Sequence, residues 1–150
     1  MKNFLLILVL VAFGKIAGAQ AYNNEWIDYN KTYFKFKVAS TALVRISQPN
    51  LPTIGLGSTP AEHLQIWRNG EEVTLYTTVA SGVVGAADYI EFWGMQNDGK
   101  ADNDLYRSPD FQLSDKFSLQ TDTSTYFLTV NTTGTNKRFV NTPNNVAGNS

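Results

Sequence analysis

Asn69-Gly70 lies between Leu64-Gln65-Ile66-Trp67-Arg68 and Glu71-Glu72-Val73-Thr74-Leu75-Tyr76. A two-residue connection of type I′ needs positive φ at both corner residues, which Asn and Gly accept most cheaply. The flanking runs carry β-branched and aromatic side chains, so the stretch predicts an antiparallel hairpin closed by a type I′ turn. No other local signal in the chain constrains the fold as tightly.

The remaining strands follow from alternation. In Asp88-Tyr89-Ile90-Glu91-Phe92-Trp93, Ile90 and Phe92 point one way while Tyr89, Glu91 and Trp93 point the other. Such a strand predicts burial on one face and cover by a loop or neighbour on the other. Gly94 ends it, and Asn97-Asp98-Gly99 is strong turn chemistry. Phe34, Phe36 and Val38 alternate with Tyr33, Lys35 and Lys37, giving one apolar and one basic face. Leu43 to Ser47 reads as the next strand, joined through Ala39-Ser40-Thr41-Ala42 by a connection that suits a hairpin. Residues 24–29 have strand composition with polar breaks; 117–119 is a short strand candidate, and 126–130 is a strand. Pro49, Pro52 and Pro60 permit only a turn of helix near residues 50–54. Short strands, closely spaced turns and no long 3.6-residue pattern predict an all-β, antiparallel sandwich-like domain of seven or eight strands.

Before that domain, Lys2, the apolar run of residues 4–13 and Ala17-Gly18-Ala19 form the three parts of a signal peptide, with cleavage expected after residue 19. The apolar run is too short for a membrane-spanning helix in the mature protein. The domain then covers residues 20–131, and 132–150, rich in Asn, Thr and Gly, reads as a flexible linker or cut end. Loss of Lys2 and Lys15 leaves ten basic residues against thirteen acidic, a net charge of −3. That balance argues against nucleic acid and anionic lipid as partners. With no cysteine, an exported chain relies on its core, and it has no thiol nucleophile.

The polar residues suggest little catalysis. His63, the single histidine, precedes the Leu64 strand beside Glu62, without a Cys or a G-x-S-x-G elbow to serve. Asp98, Asp102 and Asp104 resemble a calcium loop in composition, but the spacing is wrong and no Glu closes it, so a solvated acidic loop is the expectation. Asp88 and Glu91, three apart on a strand, face opposite ways, a poor arrangement for a glycosidase pair. Neither a cofactor nor a catalytic residue is assigned. Trp67, Tyr76, Tyr89 and Trp93 form a candidate ligand or partner surface, which would stack on sugar rings if exposed in a row; otherwise they belong to the core or lie beneath the 94–106 loop. Asn30 and Asn131 each begin a glycosylation sequon, a short motif that is frequent by chance.

N-E-W-I-D-Y-N-K-T-Y-F-K-F-K-V (24–38), A-E-H-L-Q-I-W-R-N-G-E-E-V (61–73), D-Y-I-E-F-W-G-M-Q-N-D-G-K-A-D-N-D-L-Y-R (88–107) and T-Y-F-L-T-V-N (125–131) together resemble the N-terminal region of gingipain-type cysteine peptidases of Bacteroidota, the sortases of the type IX secretion system. Ala42-Leu43-Val44-Arg45-Ile46 departs from that pattern, which has a Gly and a Tyr before Arg-Ile, and puts only local strand packing in doubt. The resemblance implies a β-rich domain ahead of a caspase-like domain with a His/Cys dyad. Neither dyad residue has a counterpart here. It also implies that the chain is a fragment whose partners are the downstream peptidase domain and other type IX secretion components, exported to the periplasm, to the outer membrane surface or out of the cell. The alternative expectation is a secreted carbohydrate-binding β-sandwich module.

Overall fold

The computed structural model describes residues 24–142, so the expected signal peptide and residues 143–150 lie outside the described residues. Seven strands form two antiparallel sheets facing each other: β1 (Phe34–Val38), β2 (Ala42–Ser47), β3 (Leu64–Arg68), β4 (Glu71–Val73), β5 (Leu75–Thr77), β6 (Tyr89–Gly94) and β7 (Ser124–Val130). The larger sheet has the order β1-β7-β3-β4 and the smaller β2-β6-β5. This is the expected all-β sandwich. No helix among the described residues is long and apolar enough to cross a membrane.

Alternation sets the inner faces. Ile90 and Phe92 of β6, Leu64 and Ile66 of β3, Leu75 of β5 and Tyr126 and Leu128 of β7 are buried between the sheets. Phe36, Phe92 and Tyr126 meet across the interior, with ring centroids 5.3–5.9 Å apart. Each such side chain taken fully out of water contributes about 1.5–3 kcal/mol, so this cluster is a main source of stability. Burial pushes the Tyr126 phenol pKa up. Its hydroxyl accepts from the Met95 N–H (2.7 Å) and donates to the Met95 carbonyl (3.1 Å).

The Asn69-Gly70 corner has φ of 49° and 80°, as a type I′ turn requires, and pairs Ile66 with Val73 and Arg68 with Glu71. The expected second arm is nevertheless split. β4 stops at Val73, and after Thr74 the chain crosses to the smaller sheet as β5, where Leu75 pairs with Phe92. The hairpin expected at residues 39–42 is also absent. β1 pairs with β7 and β2 with β6, so that connection is another crossing between sheets.

Three further expectations are corrected. Residues 24–29 form turns instead of a strand and lay Trp26 over the outer face of the larger sheet. Residues 117–119 are not a strand: Ser118 is buried, while Phe117 and Leu119 face water. The expected linker begins too early at 132. Arg138 bridges to Leu75 in β5, and its Nη2 donates to the carbonyls of Ala61, Glu62 and Leu64 at 2.7–3.1 Å. Asn136 is buried and donates to the Glu62 carbonyl at 2.7 Å. Burial pulls the Arg138 pKa down, yet the three carbonyls and nearby carboxylates keep a cation well placed there. The single turn of helix near residue 50 forms as expected, as α1 (Asn50–Thr53).

Gly94 is the last residue of β6, paired with Ala42, and it lies inside the sandwich. A Cβ there would stand 2.5 Å from Val44 Cγ2 and 3.2 Å from Val38 Cγ1. Here the glycine allows close packing of the sheets more than it ends the strand.

Candidate interaction surface

Tyr76, Tyr89 and Trp93 come together on the outer face of the smaller sheet, because β5 and β6 present them on the same side of the pleat. Trp93 is 53% exposed beside its cross-strand neighbour Leu43, so the cover expected over this face of β6 is absent. The middle of the face is polar. Arg45 donates from Nε to Glu91 Oε1 at 2.7 Å, and its Nη2 is also 2.7 Å from that oxygen. The same guanidinium covers the ring of Tyr89, 3.7 Å from its centroid. Tyr76 and Tyr89 are tilted by 45°. With one ring capped and two inclined to each other, the face is not a flat row for sugar rings, and Trp93 is its most exposed aromatic.

Trp67 belongs to the other sheet. It stacks on Trp26 at 5.3 Å and 24°, and Trp26 also meets Tyr33 and Phe127. The Trp67 indole N–H is buried without a hydrogen-bond partner among the described residues. Its cover is thus the turn at residues 24–29 and not the 94–106 loop, and the four aromatics do not form one surface.

The acidic loop buries two of its three carboxylates. Asp98 accepts from the Lys100 N–H at 3.1 Å and pairs with Arg68 Nη2 at 3.3 Å, and Arg68 Nε donates to Ser124 Oγ at 2.8 Å. Asp102 accepts from Ser118 Oγ, while Asp104 is exposed. Asp98 and Asp102 are buried and bound to different partners, so the three aspartates do not converge. Among the described residues no cluster of three His, Cys, Asp or Glu could hold a metal. Arg68, at the end of β3, instead ties this loop, through Asp98, to β7, through Ser124.

His63 ends a 3-10 turn (Ala61–His63) and lines a shallow recess with Glu62, Asn136 and Arg138. The Glu62 carboxyl is held below the usual carboxylate range by its own backbone N–H and that of Gly82, which donates at 2.8 Å. Asp88 accepts from the Gly85 N–H, and Glu91 is paired with Arg45, so these two carboxylates do not act together. Asn30 is exposed, whereas the Asn131 side chain is engaged by Lys31 and Asn136.

Composition gives no warning of one further surface. Between residues 105 and 119, Leu105, Phe111, Leu113, Phe117 and Leu119 are all more than half exposed, Leu113 at 98%. A 3-10 turn (Pro109–Phe111) and the hydrogen bonds from Asn103 to Gln112 and from Gln112 to the Gly99 carbonyl hold this excursion against the acidic loop. Five apolar residues in an otherwise polar stretch, two pairs of them at strand spacing but none in a run long enough to hold a strand, are the sequence signal that could have marked it. No protein-family model, curated protein or solved structure matches the chain.

Proposed function

We propose that this chain is a non-catalytic, exported β-sandwich domain that docks through an apolar surface onto a peptidase domain of gingipain type, as a chaperoning or restraining partner within type IX secretion. The observation that carries the reading is the exposure of Leu105, Phe111, Leu113, Phe117 and Leu119. Contiguous exposed apolar patches mark interaction sites, and these five side chains fall within one fifteen-residue stretch. The lone His63 in a shallow recess and the absence of cysteine support a role without catalysis.

The test begins by reading the genomic DNA in frame beyond codon 150. A domain encoding a His and a Cys is expected, and purified residues 20–150 should bind it in a calorimetric titration. Leu113→Asp with Leu119→Asp should weaken that binding by more than tenfold while leaving the fold intact. An immediate stop codon, or peptidase activity from residues 20–150 above a buffer control, overturns the proposal. A second reading, a carbohydrate-binding module, rests on Trp93 alone. Saturable quenching of tryptophan fluorescence by a glycan, lost in Trp93→Ala, would favour it.

A further inference from the structure

β1 and β2 are both edge strands, and the sandwich is open between them. Phe34 and Phe36 of β1, Leu128 of β7, Ile46 of β2 and Ile54 beside α1 line, together with Lys35, a mainly apolar cleft of about 290 Å³ on this side. Among the described residues no second strand pairs with β1. An edge strand leaves half of its N–H and C=O groups unpaired, ready for another chain. Lys35 and Lys37 alternate with the cleft-lining phenylalanines on the exposed face of β1. Neither forms an ion pair among the described residues.

We propose that the β1 edge takes an extended segment of another protein as an added strand, with apolar side chains at alternate positions filling the cleft and acidic side chains between them facing Lys35 and Lys37. The pleat dictates that alternation: one set of side chains turns into the sandwich and the other lies beside the lysines. Charge selects the occupant. A second copy added through its own β1 would set lysine against lysine, which is unfavourable for cross-strand neighbours. Residues 1–23 bring Lys2 and Lys15 and no acidic group, and residues 143–150 carry no charge, so neither end of this chain complements the strip. This site is separate from the apolar loop at residues 105–119, and the two fail independently.

The probe is a short, fluorescently labelled peptide alternating valine with glutamate, titrated against residues 20–150 and read by anisotropy. Saturable binding is expected, weakened by added salt and accompanied by hydrogen-exchange protection of β1 amides. Lys35→Glu with Lys37→Glu, checked for an unchanged melting temperature, should weaken it by about tenfold or more, given the modest strength of each exposed pair. A peptide alternating valine with lysine should not bind. The valine–glutamate peptide N-methylated at every residue should lose binding, because it keeps every side chain but has no N–H to donate to the β1 edge. This control requires no change to the protein. The proposal is overturned by equal binding of the lysine peptide, by binding that survives N-methylation, or by no binding of any probe. Self-association of the protein with protection of the β1 amides would also overturn it.

Discussion

Tyr126→Phe removes one oxygen from the middle of the sandwich and leaves the ring in place against Phe36 and Phe92. That oxygen satisfies both the N–H and the carbonyl of Met95, at 2.7 and 3.1 Å. Without it, two backbone groups lose their partner, and leaving such groups unpaired costs about 1–3 kcal/mol, so a loss of about 2 kcal/mol is expected. For a domain of this size that corresponds to a fall in melting temperature of about 8 °C. Urea unfolding followed by tryptophan fluorescence measures it, with the midpoint falling and the slope unchanged. Tyr29→Phe, at an 81% exposed position, serves as the control and should be neutral. The pH dependence gives a second, independent reading. Burial raises the Tyr126 pKa, so above the ordinary tyrosine value of about 10 the unfolded chain loses this proton while the folded one keeps it. The folded state then binds more protons, so the stability from this group is complete below that value and declines as pH rises through the folded pKa. Tyr126→Phe should lack that decline. A variant within about 0.5 kcal/mol of the parent would refute the reasoning, because it would mean that water satisfies Met95 equally well.

Arg68→Met leaves Asp98 buried without its cation and should cost about 3 kcal/mol, whereas the double change with Asp98→Leu should recover part of that in the same denaturation assay. Equal losses in the single and double variants would exclude a direct coupling. Gly94→Ala places a methyl against Val44 and Val38 and should destabilise by about 1–3 kcal/mol in thermal melts; a neutral result would show that the sheets can part locally. Limited trypsin digestion should first cut at Arg107 or Lys116, both exposed in the loop, and only later at Arg138, which is held by three carbonyls. Early cleavage at Arg138 would mean that this clasp opens readily in solution.

Local geometry was legible in the residues, and sheet membership was not. Asn69-Gly70 fixed its turn because positive φ is a property of those two residues alone. The alternation of Ile90 and Phe92 identified the buried face of β6. Val73 and Leu75, however, continue one unbroken period of two across Thr74, although one belongs to each sheet. Hydropathy reports that both point inward and cannot say toward which layer. For the same reason Trp67 was grouped with Tyr76, Tyr89 and Trp93, from which it is separated by the thickness of the sandwich. Arg138 was missed because its partners are backbone carbonyls, which leave no trace in side-chain composition. Residues 24–29 have the aromatic and β-branched character of a strand because covering a sheet face with Trp26 demands the same chemistry as joining the sheet.

The pairing of β1 with β7 sets the order in which this chain can acquire its structure. Phe34 lies opposite Leu128, and among the described residues β7 is the strand that pairs with β1. While the chain is being synthesised, β1 must therefore wait for β7 before its backbone finds this partner. Loop-closure entropy over such a span is lost before any pairing offsets it, which places all-β domains of this kind among those that fold in milliseconds to seconds. During that interval Phe34 and Phe36 remain uncovered on an unpaired segment, where their aggregation hazard is greatest. Lys35 and Lys37, interleaved with them, keep like segments of neighbouring nascent chains apart until β7 arrives.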